Sequence, residues 1–404
     1  MIYRAASWLA GAGLPAFARG DLAARLRPRP AGPAAIWVHG ASVGELRSAE
    51  RLLPQLARIR PLIVTANTQA GLEAAREMGF AAHLAPLDTP QAVGRFLDAA
   101  RPRVIVTLEN ELWPNRIRIA RARGISQVVI GARISARSAR RWRLARGMIA
   151  AMLGTIDGLS AQDAGSEARF LALGLPPSAV LPRMQLKLLA PARITPPAPS
   201  AARDRTVLAA STHEGEDGPI LDAYLAARAR IPDLRLIIAP RHPRRAPEIA
   251  ALLDARGLGF ARRSDGAGLA APVLLGDTLG EMGLWYGAAG ICITGGSLTD
   301  KGGHTPWEPA AYGCAILHGP HISNFAPDYQ ALHEAGGACP LGAAPGETLA
   351  KLAENPAKAR EIGAAARAVL EASAPDPAPL IAAIAALATE GPSTNIDRTG
   401  KEKT

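Results

Sequence analysis

Aromatic residues make up only 4% of this 404-residue chain, and it has three cysteines and six lysines. The cysteines, Cys292, Cys314 and Cys339, show no paired spacing. That excludes a disulfide framework and a CxxC zinc module, and it reads as reduced thiols in a cytosolic protein. No GxxxxGK[ST] is present, so the chain is not a P-loop NTPase. No zinc-finger, RNP or basic-zipper pattern occurs, which speaks against nucleic acid as a partner. Repeats with periods of 20–50 residues are also missing, which excludes a solenoid. Long hydrophobic runs are scarce too. The first 17 residues, MIYRAASWLAGAGLPAF, are apolar but contain Gly11, Gly13 and Pro15. Residues 5–18 would span about 21 Å as a helix, against a hydrocarbon core of roughly 30 Å. Followed by Arg19, Arg25, Arg27 and Arg29, this stretch reads as an interfacial membrane anchor or as an ordinary docking helix.

The composition that remains is 48% apolar and 20% charged, as expected of a folded protein, with a formal net charge of +11. Such an excess favours anionic partners. The length calls for two domains. Apolar runs at 36–39, 62–65, 104–108, 127–130 and 156–160 read as buried strands. Between them lie helical patterns, among them Leu46, Ala49, Leu53 and Leu56 on one face of a single helix. Residues 190–204, APARITPPAPSAARD, contain four prolines and read as a linker. The alternation restarts with strands at 207–210, 234–239, 273–275, 291–294 and 315–317. The expected organisation is therefore an N-terminal membrane-associating segment (1–33), a Rossmann-like α/β domain (34–189), the linker (190–204), a second Rossmann-like domain (205–388) and a polar, disordered tail (389–404). Strands alternating with helices imply doubly wound parallel sheets, with ligands in a cleft at strand carboxyl ends.

The chemistry-bearing residues lie where that rule puts them. In HGASVGELRSAE (39–50), Glu45 falls at the start of a helix after a strand. It is either an acid that complements the helix dipole or a general base at the mouth of a cleft. Glu109 and Glu111 follow another strand within TLENELWPN (107–115). Further on, STHEGE (211–216) presents hydroxyls and backbone amides, and APRHP (239–243) presents Arg241, suited to a phosphate fork or to a surface salt bridge. GDTLGEMG (276–283) opens a helix with Gly280 and Glu281. TGGSLTDKGGHTPWEPAAYG (294–313) packs five glycines around Ser297, His304 and Glu308, letting backbone amides approach an anion. His304, His318 and His321 are irregularly spaced and read as ordinary polar histidines rather than a metal site.

Taken in order, HGASVGE, ENELWPN, GARIS (131–135), STHEGE, PRHP, GDTLGE and GGHTPWE (302–308) resemble the Kdo transferases. These enzymes move 3-deoxy-D-manno-oct-2-ulosonic acid (Kdo) from CMP-Kdo onto lipid A precursors. The resemblance runs from about residue 36 to 335. It implies a GT-B fold with an interdomain cleft and an inverting transfer that needs no metal or other cofactor. It further implies an anionic lipid A precursor (lipid IVA) as acceptor and a place at the cytoplasmic face of the inner membrane. Glu45 matches the catalytic base, and Glu109 and Lys187 match residues that stabilise the transition state. CMP contacts fall on Ser211, Pro240 and Arg241, on Leu279, Gly280 and Glu281, and on Thr305, Pro306, Trp307 and Glu308. Two departures stand out. Lys187 sits in MQLKLL (184–189), where the family carries a flanking Gly and Asp, and Thr305 replaces a usual Asn. Rival readings are a nucleotide-sugar epimerase of the same fold, a paralogue with a different acceptor, and a non-catalytic membrane-surface protein.

Overall fold

The computed structural model describes residues 2–30, 32–109 and 111–390. The chain divides into two compact units. The first runs to Ala190 and includes the segment from Pro375 onward, and the second is Pro191–Ala374.

The first unit holds a seven-stranded parallel sheet of β1 (Ile36–His39), β2 (Leu62–Ala66), β3 (Ala81–Leu84), β4 (Val104–Leu108), β5 (Ser126–Ala132), β6 (Gly158–Ala161) and β7 (Val180–Leu181). Their order is β3-β2-β1-β4-β5-β6-β7. β1, β2, β4, β5 and β6 are buried along their whole length, because helices cover both faces. The second unit repeats the architecture with β8 (Thr206–Thr212), β9 (Arg235–Pro240), β10 (Ala261–Arg262), β11 (Val273–Leu275), β12 (Ile291–Thr294), β13 (Ala315–His318) and β14 (Ala338–Pro340). The order there is β10-β11-β9-β8-β12-β13-β14, again parallel throughout. The chain crosses from one side of its first strand to the other between β1 and β4 in the first sheet and between β8 and β12 in the second. Ligands bind beyond the strand ends at such a point.

Several elements differ from the sequence reading. The face formed by Leu46, Ala49, Leu53 and Leu56 is buried, but it belongs to two helices, Val43–Ser48 and Leu53–Ile59. Pro54, in the first turn of the second, has no N–H to continue the first helix, and its ring would clash with the carbonyl four residues back. The proline-rich stretch is not a free linker. Pro191–Arg193 and Ala201–Asp204 form short helical turns, and Arg367 donates to the Pro191 and Ala192 carbonyls. Arg203 is buried and donates to the Tyr312 carbonyl.

The second domain does not extend to 388 either. The Ala378–Glu390 helix lies in the first unit, where Leu380, Ile384 and Ala388 are buried in one core with Ile36, Val38, Leu53 and Leu56. An apolar stripe at four-residue spacing shows that a helix buries one face, but not against which sheet. The expected tail from 389 is helical through Glu390, and the rest of it lies outside the described residues.

The N-terminal Ile2–Gly13 helix docks on the first unit. The Tyr3 hydroxyl donates to Asp88 at 2.7 Å, and Gln91 donates to the Trp8 carbonyl at 3.2 Å. Trp8, Leu9 and Phe17 nevertheless stay 55%, 63% and 86% exposed. Among the described residues no helix is long and apolar enough to cross a membrane.

Candidate functional site

At the reversal point of the first sheet, the loop after β1 leads into the Val43–Ser48 helix. Ser42 caps that helix by accepting from the Glu45 N–H at 3.4 Å. The Glu45 carboxylate reaches back, accepting from the Ala41 N–H at 2.6 Å and the Ser42 hydroxyl at 3.3 Å. Ser-x-x-Glu is the capping-box spacing, a local signal that the dipole reading of Glu45 only half captured. The same carboxyl is half-buried, and desolvation raises its pKa, with the Ala41 amide pulling the other way and the nearby Glu109 and Glu111 adding to the rise. An acid that holds its proton more tightly is a better proton acceptor, so the capping role and a basic role fall on one group.

Glu109 follows β4 directly and takes a left-handed φ of +54°, its N–H donating to the Ile130 carbonyl at 2.8 Å. For a non-glycine residue this is a strained backbone, and such strain concentrates at functional sites. It aims the side chain at Lys187, whose Nζ lies 3.8 Å from Glu109 Oε1. With 63% and 32% of their side chains exposed, the pair contributes little to stability. It does set a positive charge beside the acids, even in the altered sequence context of Lys187.

Glu111 is held differently. One of its oxygens accepts from Trp113 Nε1 at 2.6 Å and from Asn67 Nδ2 at 3.2 Å, and it faces His39 Nε2 at 3.7 Å. Chiefly through His39, then Trp113, its pKa falls to about 2. His39 ends β1 fully buried, which holds its own pKa near 4, with Arg116 adding to the effect. The Thr65 hydroxyl takes the Trp37 indole proton at 2.8 Å and lies 2.9 Å from His39 Nδ1. The His39 Nε2–Glu111 contact is too long for a full hydrogen bond. Sequence reasoning missed this buried chain. Its only local trace is a histidine closing an apolar strand.

The second unit brings another group of residues to the reversal point between β8 and β12. Ser211 has φ +56° where the β8–β9 register shifts between Ala210 and Thr212. Gly295, just after β12, admits this bulge, since a Cβ there would lie 2.3 Å from the Ser211 carbonyl oxygen. Glu216 is fully buried and accepts backbone N–H groups from His213 (2.8 Å), Gly296 (2.7 Å) and Leu298 (2.8 Å). This carboxylate fastens the loop after β8 to the glycine-rich loop after β12, a role that STHEGE alone did not reveal. Beside it, the rings of His213 and His304 stack with Nε2 atoms 2.9 Å apart.

Pro240 is buried at the end of β9, and the Arg241 N–H donates to the Thr212 carbonyl at 3.0 Å. The exposed Arg241 guanidinium has no hydrogen-bond or salt-bridge partner among the described residues, while its charge acts on His213, His304 and Glu308. Glu308 opens the Trp307–Ala311 helix and accepts from the Tyr286 hydroxyl at 3.1 Å. It stays solvent-accessible, although the protein crowded around its carboxyl raises its pKa. The Thr305 hydroxyl accepts from the Trp307 N–H at 3.4 Å, and Pro306 and Trp307 are buried. Leu279 is 78% exposed, and Gly280 takes φ +82°. The Glu281 carboxylate is occupied by Arg263 at 2.7 Å and by Thr278, so this turn offers a ligand mainly its backbone. His304, His318 and His321 do not converge. They face His213, His333 and Asp300 respectively. Among the described residues no group of three or more His, Cys, Asp or Glu side chains is placed to hold a metal ion.

Residues 18–190 match the family described as 3-Deoxy-D-manno-octulosonic-acid transferase (kdotransferase). The chain is 36% identical over 323 residues to the 3-deoxy-D-manno-octulosonic acid transferase of Haemophilus influenzae, covering 76% of this chain and 75% of that one. With the enzyme of the same name from Bordetella pertussis it shares 38% identity over 319 residues, 72% of each chain. Among solved structures, a glycosyltransferase from Rickettsia africae matches 89% of this chain and 98% of its own, with a TM-score of 0.54 at 12% identity. A UDP-N-acetylglucosamine 2-epimerase described as putative, from Listeria monocytogenes, covers 81% of this chain and 90% of its own, with a TM-score of 0.55 at 11% identity. These two likenesses show the fold alone, that of GT-B enzymes with two Rossmann-like units. The identities to the curated transferases, spread over most of both chains, go further: the chain belongs to the 3-deoxy-D-manno-octulosonic acid transferase family.

Proposed function

We propose that this Kdo transferase uses CMP-Kdo as donor and an anionic lipid A precursor (lipid IVA) as acceptor, in an inverting, metal-independent reaction. The observation that carries the mechanism is Glu45, an acid of raised pKa at the reversal point of the first sheet. An acceptor hydroxyl attacks the anomeric carbon, its proton passes to Glu45, and the bond from that carbon to the CMP phosphate breaks. Attack from the face opposite the departing phosphate inverts the centre. Glu109 and Lys187 balance charge beside the reacting sugar. Arg241, which has no other partner among the described residues, neutralises the departing phosphate. Ser211, Pro240, the 279–281 turn and Thr305 to Glu308 hold the nucleotide, Glu308 being suited to the ribose hydroxyls. Purified protein incubated with CMP-Kdo and lipid IVA, read by mass spectrometry, should yield Kdo-bearing lipid, and equally so in excess EDTA. No product, or product only after a divalent cation is restored, overturns the reading.

The acceptor also requires a place at the membrane, on the cytoplasmic face of the inner membrane. The exposed Trp8, Leu9 and Phe17 are suited to insertion, with Arg19, Arg27 and Arg29 exposed nearby in sequence. Arg25, the fourth arginine of that stretch, is instead bound to the Ala85 carbonyl and Asn67. Three exposed arginines contribute about 3 kcal/mol at an anionic surface, a contribution that salt screens. High-salt washing should therefore release a substantial part of the protein from membranes. Release by detergent alone would contradict a peripheral attachment.

A further inference from the structure

His213 and His304 are the groups of the second unit that the proposed mechanism leaves unused, and their geometry is specific. Their Nε2 atoms stand 2.9 Å apart, so one must donate and the other accept. The Ser211 backbone, close to His304, favours a proton on that ring. In the neutral pair one Nε2 therefore offers its lone pair and the other its N–H. Both rings are partly exposed and stack beside Gly296, where a Cβ would lie 3.4 Å from His304 and 3.5 Å from His213. Arg241, at the end of β9, acts on both rings.

We propose that His213 and His304 are phosphate-binding residues for the nucleotide, and that their shared hydrogen bond opens as the phosphate binds, with uptake of one proton. The proposal rests on the reading of this unit as the CMP site. A phosphate dianion offers only acceptor oxygens, and the lone pair of whichever Nε2 accepts in the pair repels it. When that nitrogen takes a proton from solution, both Nε2–H groups donate and repel each other, and both are free to turn to the anion. No covalent bond changes, and the proton returns to solution when the nucleotide leaves.

The surrounding charges fit this cycle. Burial first, and then the charges of His213 and Arg241, lower the pKa of His304, while Glu216 opposes the shift. His213 is lowered by burial and by His242, Lys301 and Arg241, again against Glu216. The empty pair is thus neutral above the ordinary histidine range, and an incoming anion reverses the balance. Because the pKa is raised by binding, affinity for a phosphate should fall as pH rises between the free and bound values, by up to about tenfold per pH unit.

Calorimetry of CMP binding at about pH 7.5, in buffers of different ionisation enthalpy, reads the proton count directly. At that pH the phosphate is already a dianion, its second pKa being about 6. The parent protein should take up close to one proton per CMP, whereas cytidine, which lacks the phosphate, should bind with none. His304→Gln and His213→Gln should still bind CMP, several-fold more weakly, with the uptake abolished. A merely structural pair would alter melting temperature and leave the proton count unchanged. CMP binding with no uptake by the parent, or with full uptake by either variant, overturns the proposal and leaves the CMP site standing. Failure of CMP to bind the parent at all overturns both.

Discussion

Replacing Glu45 by glutamine is expected to slow single-turnover Kdo transfer by roughly 10²- to 10⁴-fold while leaving CMP affinity near that of the parent. The carboxylate lies in the first unit and the proposed nucleotide residues in the second, so ground-state donor binding should not depend on it. Glutamine keeps one oxygen to accept from the Ala41 N–H, its NH2 then facing the Ser42 hydroxyl, and most of the capping box survives. Melting temperature should therefore change little. A residue that served only as a cap or dipole partner would cost about 0.3–1 kcal/mol and leave turnover near normal. The pH dependence gives a second readout with a definite sign. Since desolvation, with help from Glu109 and Glu111, raises the Glu45 pKa, the carboxyl holds its proton to a higher pH than an ordinary glutamate. Transfer by the parent should rise with pH through that raised value, and the limb should vanish in Glu45→Gln. A stable variant that transfers within tenfold of the parent would remove Glu45 from the mechanism.

The largest stability effect is expected at Glu216, a residue outside the proposed chemistry. Glu216→Ala leaves the His213, Gly296 and Leu298 N–H groups without an acceptor in a buried site. At about 1–3 kcal/mol for each unsatisfied donor, partly relieved by relaxation and entering water, the loss should be about 3–5 kcal/mol. For a unit of this size that lowers the melting temperature by roughly 10 °C or more. Glu216→Gln should cost less, because one oxygen remains while its NH2 opposes a backbone donor. A melting temperature for Glu216→Ala within about 2 °C of the parent would show that the three hydrogen bonds are not holding the loop. The loss of CMP binding that accompanies a loosened 295–298 loop should be recovered in part by cooling, which a direct ligand contact would not show.

The interior strands β1, β4, β11 and β12 stand out in the sequence with the bounds they adopt, because strands buried on both faces must be continuous apolar runs. The strands β3, β7, β10 and β14 do not, since each is short and only partly buried, with nothing to mark it off from a loop. Glu45, Glu109 and Arg241 are visible as polar residues after strands. The capping box of Glu45 was also within reach, as a serine and a glutamate at three-residue spacing.

What the sequence determined by itself is therefore the α/β alternation, the two sheets, the family and the loops that carry chemistry. All of these depend on periodicity or on neighbours a few residues apart. Tertiary structure alone decided which groups meet. His213 faces His304 from 91 positions away, Glu216 reaches Gly296 across 80, and Lys187 joins Glu109 from another element. It also returned the Ala378–Glu390 helix to the first sheet and seated Arg25 on Asn67 rather than leaving it at the surface. An apolar stripe or an arginine states what kind of partner a segment needs. Which partner it finds depends on the crossovers that bring distant strand ends together, and on the cost of leaving any buried donor, acceptor or apolar face without one.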